Sequence, residues 1–416
     1  MAKPSARAPL MSLQDALAQL LATVQPSTAV ETLATLDADG RVLAQDVVSE
    51  LQVPPQDNSA MDGYAVHHED VLAGQPLPVL QRIAAGAAGQ PLQRPGAARI
   101  FTGAPIPDGA DAVVMQEDCV LSESGMPGGL PSVQIQSQPL PGQWIRRAGE
   151  DVTRGAVVLS RGSRLGPAEI GLAASVGLAT LQVLQRPRVA LFSTGDELVM
   201  PGTLAPSAMR PGAIYNSNRF FLHSLLRRLG CAVTDLGIVP DQRQATIEAL
   251  RSAAQDHALI LTSGGMSVGE EDHIKPAVQA LGQLDLWQVA MKPGKPFAHG
   301  RVANAHFIGL PGNPVSSFVT FLLLVRPFLL RLQGVTQTDS PALELAAHFD
   351  LPHGDKRREF LRVRRNAQGG LDLFPNQSSA VLTSAVWGDG LIDNPPNQPI
   401  RYGDPVRYLP FAELLS

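Results

Sequence analysis

Between Pro187 and Pro314 the chain alternates apolar runs with helical periods, and this alternation constrains the fold more than any other feature. The runs are RVALFSTG, CAVTDLGIVPD, HALILTSGG and HFIGLPGNP, and stretches such as NSNRFFLHSLLRRLG separate them. Each run is continuously apolar, as expected of strands that helices cover on both faces of a mostly parallel sheet. Ligands of such sheets bind beyond the carboxyl ends of the strands, so the loops after these runs form the candidate site.

The rest of the chain divides by composition. Residues 51–141, here called the insert, are dense in Gly and Pro with short apolar runs such as ARIFTG, which predicts a small unit of strands and loops. Strand-like runs on both sides indicate that the insert interrupts another unit, made of residues 1–50 and 142–182. We expect the αβ unit over 183–333. Because REFLRVRR and DPVRYLPF alternate apolar with polar residues, we expect a small all-β unit or barrel over 334–416.

Charge and cysteine usage restrict the partners. The 416 residues have a formal net charge of -5 and no basic stripe, which argues against a nucleic acid or an anionic membrane and favours a small molecule. Cys119 and Cys231 are too few for a disulfide framework or a thiolate metal site, and reduced thiols indicate a cytoplasmic protein. The apolar N-terminal residues recur at helical spacing, which predicts an amphipathic helix. The run VSSFVTFLLLVRPFLL contains Arg326 and Pro327, so we expect a buried helix there.

Several classes of protein lack their required motif. His67 and His68 are adjacent, and none of the nine histidines has a zinc-ligand spacing, so we expect no zinc site. No G-x-S-x-G, Walker loop or G-x-G-x-x-G follows a predicted strand. This sets aside serine hydrolases, P-loop NTPases and Rossmann dehydrogenases.

Four glycine-bearing loops follow predicted strands of the αβ unit: STGDEL at 193–198, TSGGMSVGEED at 262–272, KPGKP at 292–296 and PGNP at 311–314. We expect them to converge at one sheet edge. Glycine lets backbone N–H groups approach an anion such as phosphate, and a helix N-terminus directs further donors at it. The predicted contacts are Ser193, Thr194, Gly195, Ser263, Gly264, Gly265, Ser267, Gly269, Pro311, Gly312, Asn313 and Pro314.

Acids and bases lie in or near these loops. The candidate metal ligands are Glu197, Asp241 and Asp272, and the candidate bases are Lys275, Lys292 and Lys295. Carboxylates would repel a bare phosphate, but a hard divalent cation between them and the phosphate oxygens reverses that sign. The lysines would supply point charges to the outer oxygens. As alternatives, the acids cap helices, the lysines are solvated turn residues, and PGNP only starts a helix.

Two polar stretches of the insert are candidate binding loops. PPQDNSAMDGYAV places Asp57, Asn58, Ser59, Asp62 and Gly63 in a span that is too polar for a core. IFTGAPIPDGADAVVMQED exposes Thr102 and Gly103 directly after a strand, where a hydroxyl can meet a ligand. An ordinary strand-ending turn is an equally good interpretation of the second stretch.

Taken together, DNSAMDGYAV, FTGAPIP, RRAGEDV, STGDEL, TSGGMSVGEED, MKPGKP and GLPGNPVSSF resemble the molybdopterin molybdenumtransferases, known as MoeA in bacteria and as the gephyrin E domain in animals. The resemblance extends over nearly the whole chain. It implies a multidomain α/β plus β fold: a MogA-like αβα molybdopterin-binding domain, an elongated linker domain with the insert as a small β-rich lid, and a C-terminal β-barrel. It also implies a homodimer whose sites are shared between subunits.

The resemblance further implies a reaction. Adenylylated molybdopterin and molybdate enter, the pyrophosphate linkage is cleaved with the help of Mg²⁺, AMP leaves, and molybdenum ends on the dithiolene of the finished cofactor. Such a transferase has to orient two anions and neutralise a phosphoanhydride, and it requires no protein nucleophile. A molybdopterin adenylyltransferase and downstream cofactor-processing proteins are possible partners.

Position by position, the resemblance assigns roles to residues. The implied catalytic residues are Asp62, Thr102, Glu197, Asp241, Asp272, Lys292 and Lys295, with Glu197, Asp241 and Asp272 near the metal. The implied substrate contacts include Lys275, Pro311 and Pro314, and also Arg362, Ser378 and Ser379 at the molybdate. Asp151 is an acid of the linker domain. Met266 and the stretch NQSSA depart from the family pattern without removing a charge that the mechanism needs.

Two other functions stay open at this point. The αβ unit alone resembles the molybdopterin adenylyltransferases, although the insert and the barrel favour the molybdenum insertase. A non-catalytic scaffold that binds a pterin or a peptide is the third hypothesis. Turnover, as opposed to stoichiometric binding, distinguishes the enzymes from the scaffold.

Overall fold

The computed structural model describes residues 10–72, 74–123, 129–265 and 273–415. These residues form a multidomain α/β plus β protein, which confirms the predicted fold class. Among them, three six-stranded sheets carry most of the architecture: one in the insert, one in the αβ unit and one in the C-terminal region. The domain boundaries given above stay predictions.

The N-terminal helix packs against the αβ unit. α1 (Leu13–Ala22) begins where the side chain of Ser12 accepts the backbone N–H of Asp15, an N-cap bond. Its apolar residues recur at helical spacing, and Leu20 enters the core shared with the αβ unit. Met11 extends this contact, because its N–H bonds to a backbone carbonyl of the αβ unit. The next strands are β1 (Val30–Ala34) and β2 (Val47–Val48).

The insert forms a sheet of its own. Its strands, with one that follows it, are β3 (Asn58–Ser59), β4 (Gly63–Val66), β5 (Pro76–Ile83), β6 (Ala97–Ile100), β7 (Ala112–Met115), β8 (Cys119–Ser122), β9 (Ser132–Ile135) and β10 (Ile145–Arg146). The sheet order is β7-β4-β6-β5-β9-β8, and β3 pairs with β10. Tyr64 and Ala65 enter different apolar clusters. Both faces of β4 are therefore buried, which explains why GYAV does not alternate.

Strands from before and after the insert pair with each other. The chain continues with β11 (Val157–Leu159), α2 (Pro167–Ser175) and β12 (Thr180–Leu184). β12 runs antiparallel to β1, and β11 runs antiparallel to β2. These ribbons bring the two ends of the insert back to the same unit, because each ribbon takes one strand from either side.

The αβ unit contains a six-stranded sheet between two layers of helices. Its elements are β13 (Arg188–Thr194), β14 (Leu198–Val199), β15 (Ile214–Tyr215), α3 (Ser217–Arg228), β16 (Ala232–Val239), α4 (Arg243–Asp256), β17 (Leu259–Ser263), α5 (Ile274–Leu281), β18 (Gly282–Gln288), β19 (Met291–Lys292), β20 (Pro296–Val302), β21 (Ala305–Leu310), α6 (Pro314–Thr320) and α7 (Arg326–Leu332). The sheet order is β16-β13-β17-β21-β20-β18, of which the first four strands are parallel. Leu191 and Phe192 enter different cores. This two-sided burial confirms the interpretation of the apolar runs.

A long apolar helix crosses this core. α6 continues through a π-helical turn (Phe321–Val325) into α7. Pro327 has no N–H to donate to the preceding turn, which gives a physical reason for the local widening. The segment Pro314–Leu332 is long and apolar enough to cross a membrane, but 83% of its apolar window is buried inside the protein. Such burial is typical of a core helix, and it confirms the predicted buried helix.

The C-terminal strands close into a barrel. The elements are β22 (Leu343–Ala346), β23 (Arg358–Arg365), β24 (Leu371–Leu373), α8 (Thr383–Trp387), β25 (Gly390–Asn394), β26 (Pro405–Pro410) and α9 (Phe411–Leu414). The sheet order is β19-β23-β25-β26-β22, with β24 also on β23. A bridge between Ala347 and Leu371 joins the β22 end to β24. Val363 and Tyr408 lie in the apolar interior. Burial approaches alternation in β26, whereas β23 and β25 are buried along most of their length because neighbouring segments cover their second face.

Two buried histidines face each other beside α7. His299 and His306 are each 4% exposed, and their facing ring nitrogens lie 3.4 Å apart. Phe328 packs edge-on against both rings. The pKa of each imidazole is lowered to about 4, mainly by burial and in part by Arg301, while Asp285 partly opposes the shift at His299. Both rings are therefore neutral in the folded protein at neutral pH.

We expect acid to destabilise the protein through this pair. Below pH 6.5 the unfolded chain protonates His299 and His306 while the fold excludes those protons down to about pH 4. The contribution to stability is thus zero above pH 6.5 and increasingly unfavourable below it, by up to about 1.4 kcal/mol per pH unit for each group. Urea unfolding across this range measures the loss. The double variant H299Q/H306Q should have a shallower dependence on pH, and an unchanged dependence would assign the effect to other groups.

Candidate functional site

The parallel strands of the αβ unit end at one level. In the ladder, Ser193 pairs with Ser263, Ser263 with Leu310, and Thr194 with Val239. The loops STGDEL, TSGG and PGNP and the bend at Asp241 therefore leave the sheet at the same edge. This confirms the predicted convergence for three of the four glycine-bearing loops.

Glycine backbones line the floor of this edge. A Cβ on Gly264 would lie 2.9 Å from the carbonyl oxygen of Thr194, and a Cβ on Gly265 would lie 2.8 Å from its hydroxyl. Gly312 approaches the Cα of Gly264, and its carbonyl accepts a 2.7 Å hydrogen bond from the Asn218 side chain. The three loops therefore touch through their backbones, and side chains have no room at Gly264 and Gly265.

Polar atoms near the same edge lack partners. Asn216 caps α3 by accepting the N–H of Arg219, but its buried Nδ2 has no hydrogen-bond partner within the described part of the chain. The same holds, among those residues, for the buried hydroxyls of Ser193 and Thr262. An unsatisfied buried polar group costs roughly 1–3 kcal/mol. Such atoms cluster where a protein is built to take up water or a ligand.

The acids of the predicted site are partly described. The carboxylate of Glu197 folds back over Gly195, where a Cβ would meet its Oε2 at 2.6 Å. Glu197 is exposed, and Asp241 is half-buried in the bend after β16. Asp272, Ser267 and Gly269 lie outside the described residues, as does Met266. The structure thus places two oxygen donors at the strand ends.

The KPGKP loop differs from the prediction. The expectation that it follows a strand of the αβ sheet is wrong, because β19 is the edge strand of the barrel sheet and runs parallel to β23. The ammonium group of Lys292 therefore lies 3.0 Å from Glu359 and 3.2 Å from Asp355. Burial opposes the charge on Lys292, but these hydrogen bonds prevail and raise its pKa. The Arg357 side chain is the main cause that lowers the pKa of Asp355.

The other lysines are less engaged. Lys275 is exposed in the first turn of α5, and Lys295 is half-buried before β20. Gly294 between the two loop lysines packs so closely on α6 that a Cβ would lie 2.3 Å from the Thr320 hydroxyl. The loop thus joins the barrel sheet to the helix that follows PGNP.

The site residues predicted in the barrel position a loop that contacts the start of α6 in the αβ unit. Arg362 is 1% exposed, and burial lowers its pKa to about 10. Its guanidinium donates to the Phe360 and Ser378 carbonyls and to the Ser384 hydroxyl. The carbonyl of Ser379 accepts the N–H of Val315, just after Pro314. Arg362 therefore positions the loop that touches the start of α6, and its donors already have protein partners.

The insert brings together the residues predicted for it. Asp62 accepts hydrogen bonds from the backbone N–H and the hydroxyl of Thr102, both at 2.8 Å, and these bonds lower its pKa. Asp57 instead accepts bonds from Arg147 and Ala148, which tie down the return of the chain. Asp62 and Thr102 are thus an exposed pair on a sheet separate from the strand ends.

A cationic surface that no sequence motif predicted lies beside this pair. The guanidinium groups of Arg82 and Arg99 lie 4.6 Å and 4.7 Å from the centre of the Phe101 ring. The two arginines pair across β5 and β6. The available signal in the sequence was one arginine near the end of each of these strands, Arg82 in VLQRI and Arg99 in ARIFTG. Asp151 is exposed, and its backbone N–H bonds to the Val53 carbonyl at the start of the insert.

Comparisons with known proteins agree along the chain. Residues 11–177 match the MoeA N-terminal region (domain I and II), residues 190–331 match a probable molybdopterin binding domain, and residues 344–411 match the MoeA C-terminal region (domain IV). A molybdopterin molybdenumtransferase of Haemophilus influenzae is 43% identical over 88% of this chain and 89% of its own length. Molybdopterin molybdenumtransferase 2 of Mycobacterium tuberculosis is 39% identical over 92% and 94%. The crystal structure of the molybdopterin biosynthesis moeA protein from Pyrococcus horikoshii OT3 is similar with a TM-score of 0.81, 26% identity and coverage of 97% and 100%.

The glycine floor provides a matched pair of variants. Gly264 has a φ of +89° and the close contact to Thr194, so Gly264→Ala should destabilise the protein by roughly 1–3 kcal/mol. Gly312→Ala adds the same methyl group where the nearest atom is 3.8 Å away, and should change stability by less than about 0.5 kcal/mol. Denaturant unfolding measures both. Equal losses would contradict the described contact.

The ion pair at Lys292 can be tested by a double-mutant cycle. Lys292→Met leaves Glu359, which is 4% exposed, without its cation and should cost roughly 1–3 kcal/mol in the free energy of unfolding. The double variant K292M/E359Q removes the orphaned charge and should recover most of that loss. A double variant no more stable than K292M would show that the two side chains do not interact.

Proposed function

The chain belongs to the MoeA family, and on that premise we propose its function. It is a molybdopterin molybdenumtransferase that inserts molybdenum from molybdate into adenylylated molybdopterin and releases AMP. Curated relatives that carry this name cover most of the chain. The observation that carries the function to this chain's own residues is the glycine floor at the aligned ends of the parallel strands.

The floor suits a pterin substrate with phosphate groups. Bare backbone at Gly264, Gly265 and Gly312 lets N–H groups come within hydrogen-bond distance of an anion. α6 starts at Pro314, and the N-terminus of a helix adds a partial positive charge. We infer that the phosphate groups lie against this backbone, with the unpartnered Asn216 amide as a further donor.

The acids at this edge fit magnesium. Glu197 and Asp241 offer carboxylate oxygens, the ligands that Mg²⁺ prefers, and Asp272 follows in the same loop region of the sequence. When bound, the ion supplies charge neutralisation to the phosphate oxygens. The protein's own part is to hold Glu197 and Asp241 just beyond the ends of β13 and β16, whose pairing sets the two strand ends side by side. We propose Glu197, Asp241 and Asp272 as its ligands.

The basic residues divide into two roles. Lys275 and Lys295 have side chains available to phosphate or molybdate oxygens, and we propose this role for them. Lys292 and Arg362 already have protein partners, so we propose that they position the loops 292–296 and 376–379. Ser378 and Ser379 then present backbone and hydroxyl groups toward the molybdate. Binding and orientation supply the rate acceleration, and no protein nucleophile is needed.

The exposed pair in the insert completes the proposal for a homodimer. Asp62 and Thr102 are held at the ends of strands of the insert's own sheet. The glycine floor of the same subunit belongs to a different sheet, that of the αβ unit. We propose that they reach the site of the partner subunit, with Asp151 at the base of the insert. We further propose that the enzyme acts in the cytoplasm, downstream of a molybdopterin adenylyltransferase and upstream of cofactor-processing proteins.

The other two functions are less well supported. An adenylyltransferase needs the αβ unit, and this chain matches full-length molybdenumtransferases over 89% and 94% of their length, including the insert and barrel. A scaffold would bind the pterin without turnover. The acids and the glycine floor at one edge favour chemistry on a phosphoanhydride instead.

We expect AMP release from adenylylated molybdopterin when molybdate and MgCl₂ are added to the protein. Glu197→Gln should lower the rate roughly 10²-fold, because it removes a charge that the transition state requires. Glu248→Gln changes an exposed acid of α4 and serves as the control. Chromatography of the nucleotide measures the rate. Ligand retained without AMP would overturn the proposed activity.

A mixing experiment tests the shared site. Asp62→Ala and Glu197→Gln proteins are unfolded together, refolded and assayed for AMP release. If the insert serves the partner's αβ unit, hybrid dimers regain one intact site, and roughly a quarter of the wild-type rate should return. No recovery, with dimers present, would place both residues in the site of one subunit.

A further inference from the structure

The insert contains a cluster of two histidines and one aspartate outside the site described above. His67 and His68 follow β4, and Asp111 precedes β7, which pairs with β4. One potential ligand atom from each residue lies within 4.8 Å of those of the other two. Across the described ranges, this is the only such group of three or more His, Cys, Asp or Glu side chains.

The carboxylate of Asp111 stands beside both imidazoles. Its Oδ2 lies 2.5 Å from Nδ1 of His68 and 3.6 Å from Nε2 of His67. Its Oδ1 accepts the backbone N–H of His68 at 2.7 Å, which fixes the carboxylate in place. Tetrahedral zinc ligands about 2.0–2.2 Å from the metal are about 3.4 Å from one another. The His67–Asp111 spacing already suits a metal ion, and the His68–Asp111 hydrogen bond would have to open by about 1 Å.

His67 has hydrogen-bonding capacity that the fold leaves unused. Its side chain is 19% exposed, and its buried Nδ1 has no hydrogen-bond partner in the described part of the chain. Its Nε2 is too far from Asp111 for a hydrogen bond. A structural role accounts for His68, which joins the end of β4 to the start of β7. It does not account for an imidazole that stacks on His68 at 5.1 Å and faces the same carboxylate.

Charge around the cluster favours a cation. Glu69, Asp70 and Asp111 are three carboxylates, and Arg94 is the cation that pairs with the first two. These four side chains thus carry an excess of two negative charges. The negative charge near Asp111 thus favours a cation over an anion at this position.

We propose that His67, His68 and Asp111 bind a divalent transition-metal ion, with zinc the best match to two imidazoles and one carboxylate. The ion takes the place of the hydrogen between His68 and Asp111, and a neutral imidazole allows this by carrying its hydrogen on Nε2 instead of Nδ1. The three side chains are 19% to 31% exposed, which leaves a coordination position for water. The site differs from the all-oxygen magnesium site at the strand ends. Sequence spacing predicted no zinc site because Asp111 lies 43 residues beyond His68.

Isothermal titration of the full-length protein with ZnCl₂ tests the proposal. We expect saturable binding of about one ion per chain. His67→Ala should weaken binding at least tenfold, which is the scale of losing support around a metal. His353→Ala removes an exposed histidine of the barrel region and should bind like the wild type. Glu197→Gln should also bind like the wild type, which separates this site from the magnesium site.

Cobalt identifies the ligands. CoCl₂ should give visible d–d bands without a sulfur charge-transfer band, because neither Cys119 nor Cys231 takes part. Within the described part of the insert, the His67 side chain makes no hydrogen bond, so His67→Ala should nearly keep the metal-free unfolding midpoint and should lose the midpoint increase that zinc gives the wild type. If alanine unfolds the insert, His67→Gln replaces it in the same measurements. No saturable zinc binding by the wild type, or equal binding by the folded His67 variant, would overturn the proposal.

Discussion

The hydrogen-bond ladder that aligns β16, β13, β17 and β21 is the constraint on which the candidate site depends. It sets Ser193, Ser263 and Leu310 at one height, so the loops after them meet. Helices bury both faces of these strands, and a slip of one residue would exchange the side chains between the two cores. The register is therefore fixed by apolar packing far from the loops. The close contacts of Gly264 and Gly312 follow from it.

Ionic and polar contacts then join the barrel to this edge. Lys292 bonds to Glu359, and Arg362 holds the loop whose Ser379 carbonyl accepts the Val315 N–H. Lys292 and Glu359 lie on neighbouring strands of the barrel sheet, and the αβ unit is reached through Gly294, which packs on α6, and through the Ser379–Val315 bond. Lys292 and Arg362, which were predicted to be ligands for an anion, thus stabilise the folded structure beside the site. Within the described ranges, the buried polar side-chain atoms without a hydrogen-bond partner near these strand ends include the Asn216 amide and the hydroxyls of Ser193 and Thr262.

The sequence predicted the parts of this structure that have a local signal. Continuous apolar runs identified the parallel strands, alternation identified the barrel, and glycine-rich loops identified the edge where they end. β19 has two residues and no period, so nothing local places it in the barrel sheet. Arg362 lies in the run REFLRVRR, which alternates apolar with polar residues, and arginine is a residue type that is usually exposed. It is nevertheless 1% exposed, because the 376–384 segment covers it.

The same limit applies to pairs that depend on long-range contact. The Asp62–Thr102 pair was proposed from resemblance, whereas its hydrogen bonds span 40 residues and have no sequence signature. The acids that hold Lys292 lie in the next unit of the chain, and Asp111 reaches His68 only because β4 and β7 are neighbours. Fold class therefore follows from periodicity, while the partners of individual charges follow from strand order.

The path of the chain around β19 limits how the protein can move. β18 belongs to the αβ sheet, β19 to the barrel sheet, and β20 to the αβ sheet again. The backbone therefore passes from one sheet to the other and back within a short stretch. In the middle of that stretch, Gly294 packs closely against α6. A hinge motion between the αβ unit and the barrel would have to break the backbone pairing of β19 with β23. The ribbons on the way to the insert are packed as well, because Val47 of β2, Leu159 of β11 and Leu181 of β12 belong to one apolar cluster.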